Sequence, residues 1–68
     1  MTHTSEYAVT GMTCEHCVAS VTEEVQEVEG VTDVHVDLAT GRLSVTSDQP
    51  LPDAEVKAAV EEAGYGLA

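Results

Sequence analysis

The chain has 68 residues and a formal charge of −11 from thirteen acidic and two basic side chains, and it contains neither Phe nor Trp. A chain this short is expected to be one domain, 1–68, burying about 60% of its unfolded surface, with no room for a cleft walled by two subdomains. That counts against most enzymes, and so acidic a surface repels nucleic acid and anionic membranes, because binding to either begins with Lys and Arg meeting phosphates.

The first six residues are polar and lack the charged start and apolar run of a signal peptide. No stretch approaches the roughly 20 apolar residues of a membrane-spanning helix. A cytoplasmic location without membrane insertion is expected, and reducing conditions there keep thiols free. The acidic charge serves either solubility or steering toward a basic patch on a partner.

Tyr7–Thr10 alternates in character and predicts a short strand, stopped by Gly11. A loop from Gly11 runs into a helix in which Val18, Val21, Val25 and Val28 recur at the spacing of one buried face, with Gly30 as its terminator. Val34, Val36 and Leu38 then alternate with Asp33, His35 and Asp37, and Leu43 and Val45 alternate with Arg42, Ser44 and Thr46. Ala39-Thr40-Gly41 has turn character between them, so the pair reads as an antiparallel hairpin.

Ser47–Pro52 reads as a loop, with Pro52 suited to the first turn of a second helix. Val56, Ala59, Val60 and Ala63 give that helix an apolar face and Gly64 ends it. Tyr65–Ala68 leaves room for a very short last strand. The fold class is therefore α+β: a ferredoxin-like βαββαβ sandwich, with two helices on one face of an antiparallel four-stranded sheet.

Both cysteines lie in Gly11-Met12-Thr13-Cys14-Glu15-His16-Cys17. Cys14 falls in the loop and Cys17 in the first helical turn, so their sulfurs can converge on one ion. Unpaired N–H groups at a helix start favour the thiolate. Thiolates are soft ligands and select soft cations, Cu(I) first among the physiological ones. Structural zinc asks for four ligands, and the chain has no second cysteine pair. A bare Cys-x-x-Cys also occurs in redox and zinc proteins. A thioredoxin-like oxidoreductase, however, needs a larger scaffold, and no aromatic residue or proline flanks the pair.

The run Gly11–Cys17 resembles the Gly-Met-Thr-Cys-x-x-Cys signature of heavy-metal-associated domains, and most closely that of CopZ-type bacterial copper chaperones. The strand before the motif, the Glu29-Gly30-Val31 turn, the Val34-His35-Val36 strand and the Gly64-Tyr65 pair extend the resemblance over essentially the whole chain. It implies Cu(I) as cargo on Cys14 and Cys17, no covalent catalysis, and transfer by ligand exchange to the metal-binding domains of a copper-exporting P-type ATPase. A copper-responsive repressor is a further implied partner. The apo protein is expected to be a monomer, and a Cu(I)-bridged homodimer acting as a copper buffer is the alternative.

The resemblance also implies roles beside the pair. The methionine at the position of Met12 points into the core beneath the loop in the family, although its thioether is itself a possible copper ligand. His16 is either an exposed side chain at the helix start, a group that tunes the thiols, or a ligand across a dimer. Tyr65 either lies over the metal site and screens it, or packs at the core edge. His3 and His35 are expected in solvent. Zinc- and cadmium-selective relatives tend to carry Asp before the first cysteine, where this chain has Thr13, and mercury-binding relatives are usually exported. The initial Met1 favours a free-standing protein over an excised ATPase domain. The chain stops at Ala68, sooner after Gly64-Tyr65 than the family usually does, so a stub of a last strand is expected to leave the first strand partly uncovered.

Overall fold

Period-two alternation makes the central hairpin. In the computed structural model, which describes residues 2–68, β2 (Val31–Asp37) and β3 (Arg42–Ser47) pair antiparallel, with Val34 opposite Val45 and Val36 opposite Leu43. Met1 of the expected 1–68 span lies outside the described residues. The turn is held by Gly41 N–H donating to the Asp37 carbonyl at 2.8 Å and by Ala39 N–H donating to the Asp37 carboxylate at 3.0 Å.

Around this hairpin the elements run β1 (His3–Thr10), α1 (Glu15–Gln26), β2, β3, α2 (Asp53–Glu62) and β4 (Gly66–Leu67), in the sheet order β2-β3-β1-β4. This is the expected ferredoxin-like architecture. Val9, Val21, Val25, Leu43, Val45, Val56 and Val60 form one buried cluster between the helices and the sheet. Across the sheet, Val36, Leu43 and Tyr7 make one inward row, and Val34, Val45 and Ser5 the next.

Several boundaries differ from the sequence reading. β1 starts at His3 rather than Tyr7, because β3 supplies partners from Ser47 to Arg42 for the polar stretch as well. α1 ends at Gln26, so Val28 belongs to the following turn, and the buried stripe is Cys17, Val21 and Val25, with Val18 only half-buried. β2 begins at Val31, and Leu38 falls outside it with 37% exposure. Pro52 is the N-cap of α2 rather than a first-turn residue, with ψ 135°. Asp53 and Glu55 in the first turn of α2 suit the positive end of the helix dipole. The Tyr7 hydroxyl donates to Asp53 at 3.0 Å, tying β1 to the start of α2, and burial with the Asp53 contact pushes its pKa up.

β4 is a two-residue stub. It pairs Leu67 with Val9 and Gly66 with Thr10, and Ala68 N–H adds one bond to the Ala8 carbonyl at 2.8 Å. From His3 to Tyr7 that side of β1 is uncovered among the described residues. The Arg42–Glu6 ion pair on the outer sheet face is 3.6 Å long with both side chains more than half exposed, so it contributes little.

A core this thin makes each large side chain count. A chain of this length has a stability of about 3–10 kcal/mol. Leu43→Ala empties a fully buried site and is expected to cost about 2–5 kcal/mol in urea unfolding of the apo protein. Leu38→Ala at the exposed turn is expected to change stability by no more than about 0.5 kcal/mol. Equal costs at the two sites would contradict the assignment of the core.

Candidate metal centre

The thiol loop is built by what ends β1 and what starts α1. Gly11 leaves the strand at φ +91°, a left-handed conformation that glycine adopts without strain. Cys14 is the N-cap of α1 with extended φ −156° and ψ 171°, and its carbonyl accepts from Cys17 N–H at 3.1 Å and Val18 N–H at 3.3 Å. An N-cap is usually Ser, Thr, Asp or Asn, whose oxygen caps the helix. Cys14 makes no side-chain capping bond, so its sulfur is not engaged by the helix.

The two sulfurs are 3.4 Å apart, and both cysteines are free. They differ in setting. Cys17 heads the Cys17-Val21-Val25 stripe and is only 9% exposed, whereas Cys14 is exposed. One sulfur is thus anchored on the core and the other is presented to solvent. The Thr13 hydroxyl lies 4.0 Å from the Cys17 sulfur.

Tyr65 is delivered by the end of α2. Gly64 at φ +95° closes a Schellman turn: its N–H donates to the Glu61 carbonyl at 2.9 Å, and Tyr65 N–H donates to the Val60 carbonyl at 3.1 Å. The Tyr65 ring then packs on the core and against Gly11, where an added Cβ would sit 3.4 Å from ring atom Cδ1. Its hydroxyl is turned toward the Cys17 sulfur.

These donors act together on Cys17. The backbone amide of Thr13 is the largest influence, followed by the Tyr65 phenol and the Cys14 side chain. Desolvation works in the opposite direction, and the Cys14 amide adds a smaller stabilisation. The Cys17 thiol is brought down to about 6. The same contact, with burial and the nearby cysteines, pushes the Tyr65 phenol up, so it stays protonated and able to donate.

Of the other residues picked out in the sequence, Met12 is half-buried and packs against the core cluster. His16 is exposed in the first turn of α1. His3 and His35 are exposed on β1 and β2. Among the described residues no group of three or more His, Cys, Asp or Glu converges as a metal site. Two contributions escaped the sequence reading: Thr13 as a donor to Cys17, and Cys17 as a core residue. The second was legible, since Cys17 stands four residues before Val21.

The sequence profile of the heavy-metal-associated domain matches residues 6–66. The copper chaperone CopZ of Bacillus subtilis is 39% identical over 61 residues, covering 88% of each chain. A probable copper-exporting P-type ATPase of Archaeoglobus fulgidus is 43% identical over 60 residues, which span 87% of this chain and 8% of the ATPase. A solved structure of a CopZ metallochaperone superposes with a TM-score of 0.90 at 31% identity, covering 97% of this chain and 100% of that one. Among the described residues no helix is long and apolar enough to cross a membrane.

The donors around Cys17 set a pH signature. Its folded pKa, about 6, lies below the ordinary thiol value of about 8.5, so the thiolate persists at neutral pH and is lost as pH falls through the folded value. Alkylation of the apo protein by iodoacetamide should therefore follow a titration centred near pH 6. Tyr65→Phe removes a donor to the thiolate and should move that midpoint upward. An unchanged midpoint would mean the phenol does not stabilise the thiolate.

Proposed function

The chain belongs to the heavy-metal-associated domain family, and from that premise we propose that it is a cytoplasmic Cu(I) carrier, residues 1–68 acting as one domain. It holds the ion between Cys14 and Cys17 and hands it on by thiol exchange. The observation that carries this reading is the sulfur pair itself: 3.4 Å apart, one anchored and one exposed.

Two thiolates suit Cu(I), which accepts two soft ligands, whereas a structural zinc site needs four. The lowered Cys17 pKa supplies one thiolate near neutrality without help from the metal. Met12 packs in the core under the loop and supports it rather than binding copper. Tyr65 covers the Cys17 side of the pair and limits water and stray thiols there, leaving Cys14 as the side of entry. His16, exposed beside Cys14, is free to meet a partner surface.

Transfer proceeds by substitution at the ion. An incoming thiolate of the recipient binds copper from the exposed side, giving three sulfur ligands. Cys14 then releases and takes up the proton that the recipient's second thiol gives up as it replaces Cys17, which leaves as the thiolate. Only metal–sulfur bonds and a thiol proton are exchanged, so the protein is a carrier and not an enzyme. The recipient is the cysteine-bearing domain of a copper-exporting P-type ATPase. The identity with part of such a pump supports this, because similar sites on donor and acceptor let the ion move without a deep trap on either.

A Cu(I) titration of the reduced protein against a competing chelator tests the proposal. One equivalent should be retained by a monomer, and Cys14→Ser and Cys17→Ser should each lose it. More than one ion per cysteine pair together with a sedimenting dimer would replace the carrier by a copper buffer. Binding that survives either substitution would sink both readings.

A further inference from the structure

The surface between α1 and α2 is concave. Beyond the end of α1, Val28 sits half-buried in the turn, and α2 faces it with Ala58 and Ala59. Side chains this short do not close the space, and an open groove of about 360 Å³ remains with these three residues as its apolar floor. Glu24, Glu27 and Glu29 line it from the α1 side, and Glu55 and Glu62 from α2.

No cation lines this groove. The two basic residues of the chain lie elsewhere, Arg42 on the outer sheet face 3.6 Å from Glu6, and Lys57 exposed on α2. Glu55 and Glu62 stand about 10 Å apart along α2, and no three acidic, His or Cys side chains among the described residues converge to hold a metal ion. Separated carboxylates over an apolar floor suit several cationic side chains spaced along a polypeptide. The aliphatic stems of Lys and Arg cover apolar surface while their charged heads reach carboxylates. A second copy of this chain, itself at −11, is repelled.

We propose that the groove between α1 and α2 docks a segment of a partner protein bearing Lys and Arg, stems on Val28, Ala58 and Ala59 and heads among the five glutamates. The α1 side of the groove begins at Glu24, about 10 Å along the helix from Cys17. The surface therefore operates with or without a metal on the thiol pair and goes beyond the copper reading.

The test is an NMR titration of the full, reduced apo chain with a hexapeptide of alternating arginine and alanine. Shift changes should concentrate at residues 24–29 and 55–62, and binding should weaken with salt. Glu27→Gln with Glu62→Gln should weaken binding about fivefold. Asp33→Asn with Asp37→Asn, an equal charge change on exposed β2 positions, should leave it nearly intact. Ala58→Leu, at an exposed position, fills the groove without altering charge and should also weaken binding. Equal loss in the two double variants, or no effect of Ala58→Leu, would reduce the interaction to net charge and overturn the proposal. A peptide-free dimer that Ala58→Leu dissociates would overturn it in favour of self-association. Cu(I) titration of the same variants should match the parent chain, which separates failure of this proposal from failure of the copper reading.

Discussion

Helix α1 lies on the sheet through Val21 and Val25, both fully buried, and one turn earlier on the same stripe stands Cys17. Sealing the valine core therefore fixes one sulfur in place. The residue three positions before it is the N-cap, whose extended backbone lies outside the helical stripe, so Cys14 is held nearby yet exposed. The pairing of one firm and one accessible sulfur follows from where the helix begins relative to its buried face.

The electrostatics of the pair are local and run against the charge of the whole molecule. A chain at −11 disfavours another anion, yet the Cys17 thiol is drawn down by the Thr13 amide, the Tyr65 phenol and the Cys14 side chain. Charges farther than a Debye length, about 8–10 Å at physiological salt, are largely screened at an exposed site. Contact donors win over distant carboxylates for that reason. The distant carboxylates shape instead what can approach the helical face, where the groove between α1 and α2 is rimmed entirely by glutamate.

The core and the thiol loop share the same few side chains. With no Phe or Trp, the core rests on valines and Leu43, and both Met12 and Tyr65 pack against it while bordering the thiol loop. The α2–β4 connection is held by the Gly64 turn at one end and by Thr10 Oγ1 donating to the Gly66 carbonyl at 3.2 Å at the other. The phenol is therefore placed by backbone bonds on both sides and not by its own packing alone.

Much of this was legible in the residues. Alternation at Val34, Val36, Leu43 and Val45 marked the hairpin, helical spacing at Val21 and Val25 marked α1, and Gly64 marked the end of α2, because each pattern is set within a few residues by backbone geometry. The motif from Gly11 to Cys17 marked the thiol pair, since its spacing places both cysteines at one helix start. The polar start of β1 was not legible: His3–Glu6 has no apolar alternation, and it is a strand only because β3 pairs with it. Nor were the approach of Tyr65 to Gly11 and Cys17, the Thr10–Gly66 bond across 56 positions, or the groove left by Ala58 and Ala59. Local periodicity is written along the chain, whereas contacts between distant segments exist only once the sheet register and the packing of both helices have brought them together.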